Sequence, residues 1–162
     1  MNTILLSIGI ILMCAAIYLM IRQKLPACIF AYVALCALHF STHIALPVST
    51  FVFWGIVSAI LVAIDLLSPK GEPDGSCQGN LYMTIGAMAG VFIGISINPS
   101  IMVLCTIIGT IFGQLAYSRT PKGCWIKFPS SIFIHYFCAK GFKIVASAAM
   151  LGIALVGFLL EI

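Results

Sequence analysis

Charge is what this chain has least of. Of 162 residues only 7% are charged, eight basic and four acidic, where a soluble domain carries about 25%. So little charge cannot cover a water-facing surface, which excludes an ordinary soluble domain. Four carboxylates also leave few general acids or bases. Catalytic signatures are missing as well. There is no nucleophile elbow in a serine–histidine–acid order, no H-E-x-x-H, no phosphate-binding glycine loop and no dinucleotide fingerprint. The expectation is a non-enzymatic protein without a cofactor. The net charge of +4 is dispersed, with no basic run interleaved with aromatics, so nucleic acid is not an expected partner. Seven cysteines occur, none in a C-x-x-C pair. An odd count without paired spacing excludes a disulfide framework, and five of the seven lie in apolar segments, where cysteine acts as a small hydrophobe. No positive charge precedes the first apolar run; Arg22 and Lys24 follow it. A secretory signal has the opposite order, so this run reads as a retained helix.

What the chain has instead is apolar length. Hydrophobic residues make up 62% and the mean hydropathy is +1.20. The expected fold is all-α: a polytopic integral membrane helical bundle forming one transmembrane domain over residues 1–162, with the lipid bilayer as its first partner. Six apolar segments stand out, at about 3–21, 26–44, 48–67, 81–97, 101–117 and 130–160. Residues 70–80 form a polar loop, and residues 118–131 a second connection carrying Arg119, Lys122 and Lys127. The fourth and fifth segments, at roughly 25 Å each, are slightly short of a ~30 Å hydrocarbon core, so they read as two spans or as a hairpin that crosses incompletely. The last segment, about 46 Å long as one helix, exceeds that core. Its simplest accommodation places Lys140 and Lys143 at the interface, snorkelling, with 130–139 as an amphipathic lead-in.

With the N-terminus outside, all eight basic residues fall on one side, while the connections at 41–47 and 98–100 carry no Lys or Arg. The positive-inside rule makes that side cytoplasmic. Both termini are then expected outside, and Cys77 and Cys124 in the reducing cytoplasm.

Between residues 81 and 117 small residues recur every fourth position: Gly86, Gly90 and Gly94 on the first segment, Cys105, Gly109 and Gly113 on the second. This spacing puts them on one helical face, where backbones pack closely by van der Waals contact, within one chain or between copies. Alanine is expected to be tolerated there and leucine not. Three kinds of polar residue interrupt the apolar segments. Asp65 reads either as an interfacial anchor paired with Lys140 or Lys143, or as part of an ion path. Gln114 reads as a hydrogen-bonding link between helices. Cys36, His39 and His43 share one helical face, with sulfur and imidazole donors that suit zinc or copper. A structural site needs a fourth ligand, and the bland alternative is a packed cysteine beside an interfacial histidine pair. His135 and Cys138 repeat the spacing only in part.

The stretch WGIVSAILVAIDLLSP, a polar glycine-containing loop and GAMAGVFIGISINPSIMVLCTIIGTIFGQLAY together resemble a bacterial membrane family known as domain of unknown function 456. Asp65 with Pro69 four residues on matches the family pattern, as does the proline-broken hairpin of Gly86, Gly90, Gly94, Pro99, Gly109 and Gly113. Lys140 or Lys143 would correspond to its lysine in the last segment. The family has Gly-Glu at the end of the hairpin, where this chain has Gly113-Gln114. The resemblance implies a bacterial inner-membrane location and no activity. Two functions follow from the residues. One is a scaffold or interaction subunit, a homo-oligomer or the partner of another membrane protein, motivated by close-packing surface and no deep polar pathway. The other is a small transporter or channel-like protein built on the broken hairpin and Asp65. The expected orientation is checked by labelling intact cells with a membrane-impermeant maleimide. Cys77 and Cys124 should stay unmodified until the membrane is permeabilised; labelling of either before that reverses the topology.

Overall fold

The computed structural model describes residues 3–22, 27–41, 47–67 and 77–160. All regular structure among them is helical: α1 Thr3–Arg22, α2 Ala27–Ser41, α3 Val48–Leu67, α4 Cys77–Ile97, α5 Pro99–Ser118, α6 Ser131–Tyr136, a π-turn Phe137–Gly141 and α7 Phe142–Leu160. Among the described residues, three helices are long and apolar enough to cross a membrane: Gly79–Ile97, Ile101–Ser118 and Ser131–Gly157.

Helix α4 starts before the apolar run does. Its 21 residues and the 20 of α5 each extend about 30 Å, so the hairpin is longer than its apolar letters imply. One residue joins the two helices. The Asn98 N–H donates to the Gly94 carbonyl and the Asn98 carbonyl accepts from Met102, each at 3.0 Å. Pro99 then opens α5 where its missing N–H costs nothing.

The two helices touch through backbone. A Cβ added at Gly86 would run into the Gly109 carbonyl oxygen, and one at Gly109 into that of Gly86. A Cβ at Gly90 meets the Cys105 carbonyl and lies 2.9 Å from the Thr106 Cα; Gly94 faces the Met102 Cα, and Gly113 the Tyr82 carbonyl. The four-residue stripe thus brings the two helices together within the chain, helix on helix. The expectation that alanine fits changes here. The obstructing atoms are backbone, which cannot rotate away as a side chain can.

Helix α7 is the centre of the molecule. It packs against each of α1 to α5, and residues 144–152 are all buried. A helix enclosed on every side has no polar face to offer. Its sequence answers with small residues, Ala146, Ser147, Ala148, Ala149 and Gly152, which let several neighbours approach at once. Gly152 lies where a Cβ would meet the Met102 sulfur at 2.6 Å and the Val91 methyl at 2.9 Å, so the hairpin seats on α7 at that point. On the other side α1 and α2 pair, with Leu38 seated on Gly9. Helix α3 is peripheral, against α2 and α7, with Trp54 and Ser58 as its buried residues.

Helices α6 and α7 form one continuous rod through the π-turn. Lys140 lies within the π-turn. It is 8% exposed, with its Nζ 4.9 Å from the centre of the Tyr136 ring. A π-turn accommodates one extra residue, which resets the face that the following helix presents. Lys143 is half-buried one turn on.

Gly90→Ala should destabilise the protein by about 1–3 kcal/mol, because added volume must displace backbone, and Gly90→Leu by more. Gly55→Ala is the control: its nearest atom is the Tyr32 hydroxyl at 3.1 Å, the end of a side chain, and its effect should stay within about 0.5 kcal/mol. Thermal unfolding of the three variants in one detergent checks this; equal melting of Gly90→Ala and Gly55→Ala would show that the hairpin can open at no cost.

Candidate functional site

Where the π-turn passes the base of the hairpin, polar side chains are buried together. On α4, Asn80 and Thr84 are 3% exposed; on α5, Thr106, Thr110 and Gln114 are fully buried; Lys140 and Ser147 bring the row onto the last rod. The facing pairs Gly86–Gly109 and Gly113–Tyr82 fix the register. In it Asn80 and Gln114 stand at one level, and Thr84 and Thr110 at the next.

The hydroxyls of the row are turned inward on their own helices. Thr84 donates to the Asn80 carbonyl, Thr106 to Met102 and Thr110 to Thr106, each at 2.7 Å, and Ser147 to Lys143 at 2.8 Å. Bonding to the carbonyl four residues back is the usual solution for a hydroxyl inside a helix. The donors are therefore used, and the row is not a string of free hydroxyls.

Gln114 does something different. Its Nε2 donates 3.0 Å to the carbonyl of Phe133, crossing from α5 to the helix that leads into the π-turn. The Phe137 N–H is shared between the Phe133 and Ile134 carbonyls, so the widened turn leaves Phe133 a weakly used acceptor. The Gln114 amide completes it. Close by, a Cβ at Gly79 would meet the Tyr136 hydroxyl at 2.5 Å and the Tyr117 ring at 3.0 Å; Tyr136 lies edge-on to Trp125, with ring centres 6.5 Å apart. Two acceptors in this region, Gln114 Oε1 and Asn80 Oδ1, are buried with no hydrogen-bond partner among the described residues. A buried oxygen left so costs about 1–3 kcal/mol, the kind of vacancy an ordered water fills.

Of the remaining sequence candidates, two lie outside the described side chains and two lie on α2. Asp65 falls within α3, and its side chain lies outside the described residues, as does His43. On α2, the Cys36 thiol lies beside Tyr32 of the same helix, and His39 points toward α3. The His39 ring is 4.6 Å from that of Phe51 and its Nδ1 is buried without a partner among the described residues. Among those residues no three His, Cys, Asp or Glu side chains converge on a common point. Sequence reasoning passed over Asn80, Thr84, Thr106 and Thr110. The signal was present: Thr106, Thr110 and Gln114 repeat every four residues, one position from the glycines, and so share a face of their own.

On the outer side of the hairpin, away from this row, lies a groove of about 590 Å³. Its floor is the half-bare backbone around Gly86, Gly90 and Gly109; its walls are Ile85, Ile93, Ile108 and Phe112. Compared with protein-family models, with curated proteins and with solved structures, the chain matches none.

Gln114→Leu removes an unpaired oxygen together with the donated bond, so its cost should be small, about 0.6 kcal/mol for a hydrogen bond between membrane helices. Gln114→Glu should cost more, about 1–3 kcal/mol, because a carboxylate would bury an unpaired charge and set its oxygen against the Phe133 carbonyl. Melting temperatures of the two variants check the order; the reverse would show that the side chain at 114 does not face the Phe133 carbonyl.

Proposed function

We propose that the chain is a non-enzymatic scaffold or interaction subunit of a membrane, and that the outer groove of the α4–α5 hairpin seats an apolar helix of a partner membrane protein. The composition and the three helices long enough to cross support a membrane protein. The one-sided distribution of its eight basic residues supports a multi-pass chain with both ends outside. The resemblance to a bacterial family adds the inner membrane as the compartment.

The observation that carries the reading is the groove itself. Apolar side chains gain nothing by leaving lipid for one another, so membrane helices associate where small residues let backbones come close. The groove offers glycine backbone between rows of large aliphatic side chains, with Phe112 63% exposed and Ile108 52%. A ridge of side chains on a facing helix fits that relief. The hydroxyls of the buried row, each tied to its own helix, favour this reading over a solute path. A second reading, a small transporter or channel-like protein, draws on other features. Lys140, a lysine about 15 Å along its rod, lies beside a π-turn. The region also contains two buried unpartnered amide oxygens.

A photoreactive residue in place of Phe112 should capture a partner membrane protein in native membranes, and one in place of Ile11, exposed on α1, should not. Capture of lipid alone at position 112, combined with solute flux in vesicles of the purified protein, would replace the first reading by the second.

A further inference from the structure

The connection between α5 and α6, residues 119–130, is built rather than slack. Thr120 caps the end of α5, its N–H and hydroxyl both reaching the Tyr117 carbonyl at 2.9 and 2.7 Å. Two further turns follow, Gly123 N–H to the Thr120 carbonyl at 3.0 Å and Ile126 N–H to the Gly123 carbonyl at 2.9 Å. Gly123 is obligatory, since a Cβ there would strike the Tyr117 carbonyl. Ile126 is fully buried in the main core and pins the segment to the bundle. Ser130 closes it by accepting from the Phe133 N–H at 3.1 Å, capping α6.

What this rigid segment shows outward is of two kinds. Arg119, Lys122 and Lys127 are exposed. So are Trp125 and Phe128, 46% and 58% exposed, with Ile132 and Ile134 just beyond. The aromatics are braced from behind: Phe128 is edge-on to Phe133 at 4.9 Å and Trp125 to Tyr136 at 6.5 Å. No Asp or Glu occurs anywhere from residue 75 to residue 160, so no neighbouring carboxylate on the hairpin or the last rod neutralises the three cations. The position decides the partner. Two of the membrane-length helices, Ile101–Ser118 and Ser131–Gly157, end and begin at this segment. It therefore sits where both leave hydrocarbon, at the depth of the headgroups.

We infer that residues 119–130 form a docking surface for anionic phospholipid headgroups. Arg119, Lys122 and Lys127 meet the phosphates, and Trp125 and Phe128 are set into the interface. Tryptophan belongs at that level because its ring is both apolar and polar, and basic residues beside a span draw anionic lipid to them. The inference rests on the membrane reading. That reading fails separately, if the protein does not float with vesicles.

Trp125 is itself the probe. The chain has two tryptophans, and in the full chain carrying Trp54→Phe only Trp125 fluoresces. In vesicles of phosphatidylcholine and phosphatidylglycerol, one lipid brominated at a time and at equal mole fraction, brominated phosphatidylglycerol should quench Trp125 about twofold more strongly or better. The excess should vanish in Arg119→Gln/Lys122→Gln/Lys127→Gln, and in the parent at about 1 M salt, where the Debye length is about 3 Å. The salt arm needs no substitution, so a misfolded triple variant leaves the test intact. Equal quenching by the two lipids, no quenching by either, or an excess that survives high salt would overturn the inference. So would an excess removed by inorganic phosphate at unchanged ionic strength, since the surface would then take phosphate from solution rather than from lipid.

Discussion

Everything in this bundle depends on how closely helix backbones can approach one another. Burial of apolar side chains drives assembly in water; in lipid it counts for little, and contact geometry takes over. The α4–α5 hairpin meets this condition with glycine against carbonyl at successive levels, and α7 meets it with a run of alanine, serine and glycine surrounded by five neighbours. The two solutions interlock at Gly152, where the side chains of Met102 and Val91 occupy the space that a Cβ would need. A larger residue in the hairpin pushes on backbone, and one at Gly152 on the side chains that seat the hairpin against α7.

The polar residues follow from the same geometry. Helices that pack this tightly leave little room for water, so Thr84, Thr106, Thr110 and Ser147 each bond to their own helix. The π-turn is the exception. It loosens the backbone ladder at one place, and there an amide from α5 crosses over to Phe133. Lys140 is drawn inward at the same place, over the Tyr136 ring. Irregular backbone, an inward lysine and unpartnered amide oxygens coincide within one small region. It is the part of the interior least explained by packing alone.

Much of the architecture was legible in the letters. The limits of α1 and α3 coincide with apolar runs bounded by Arg22 and by Pro47 and Ser68, because hydrophobic length is a direct signal. The glycine spacing named the contacting face of the hairpin. The start of α4 was not legible: Gln78, Gly79 and Asn80 look like loop, yet the helix runs through them, with Gly79 and Asn80 buried against the last rod. Polar letters hid a buried position because their neighbours, Tyr117 and Tyr136, arrive from far along the chain. The π-turn left no mark in composition, and with it went the depth of Lys140. The pairing of His39 with α3 depends on how two helices rotate against each other, which spacing on one helix cannot state. The groove followed the same rule: the glycines announced contact, while the walls of Ile85, Ile108 and Phe112 took their meaning only once two helices lay side by side.

The central position of α7 has a bearing on how the molecule comes into being. The helix that all five others surround follows every one of them in the chain. While a ribosome is still making it, α1 with α2 and the α4–α5 hairpin can pair as neighbours, but the faces they will turn toward α7 have nothing to hold. Those faces include Val91 and Met102, which close on Gly152 in the finished core. Until α7 is made, the bundle lacks the helix at its centre. Its completion is a late, long-range event in which the newest segment threads among the oldest.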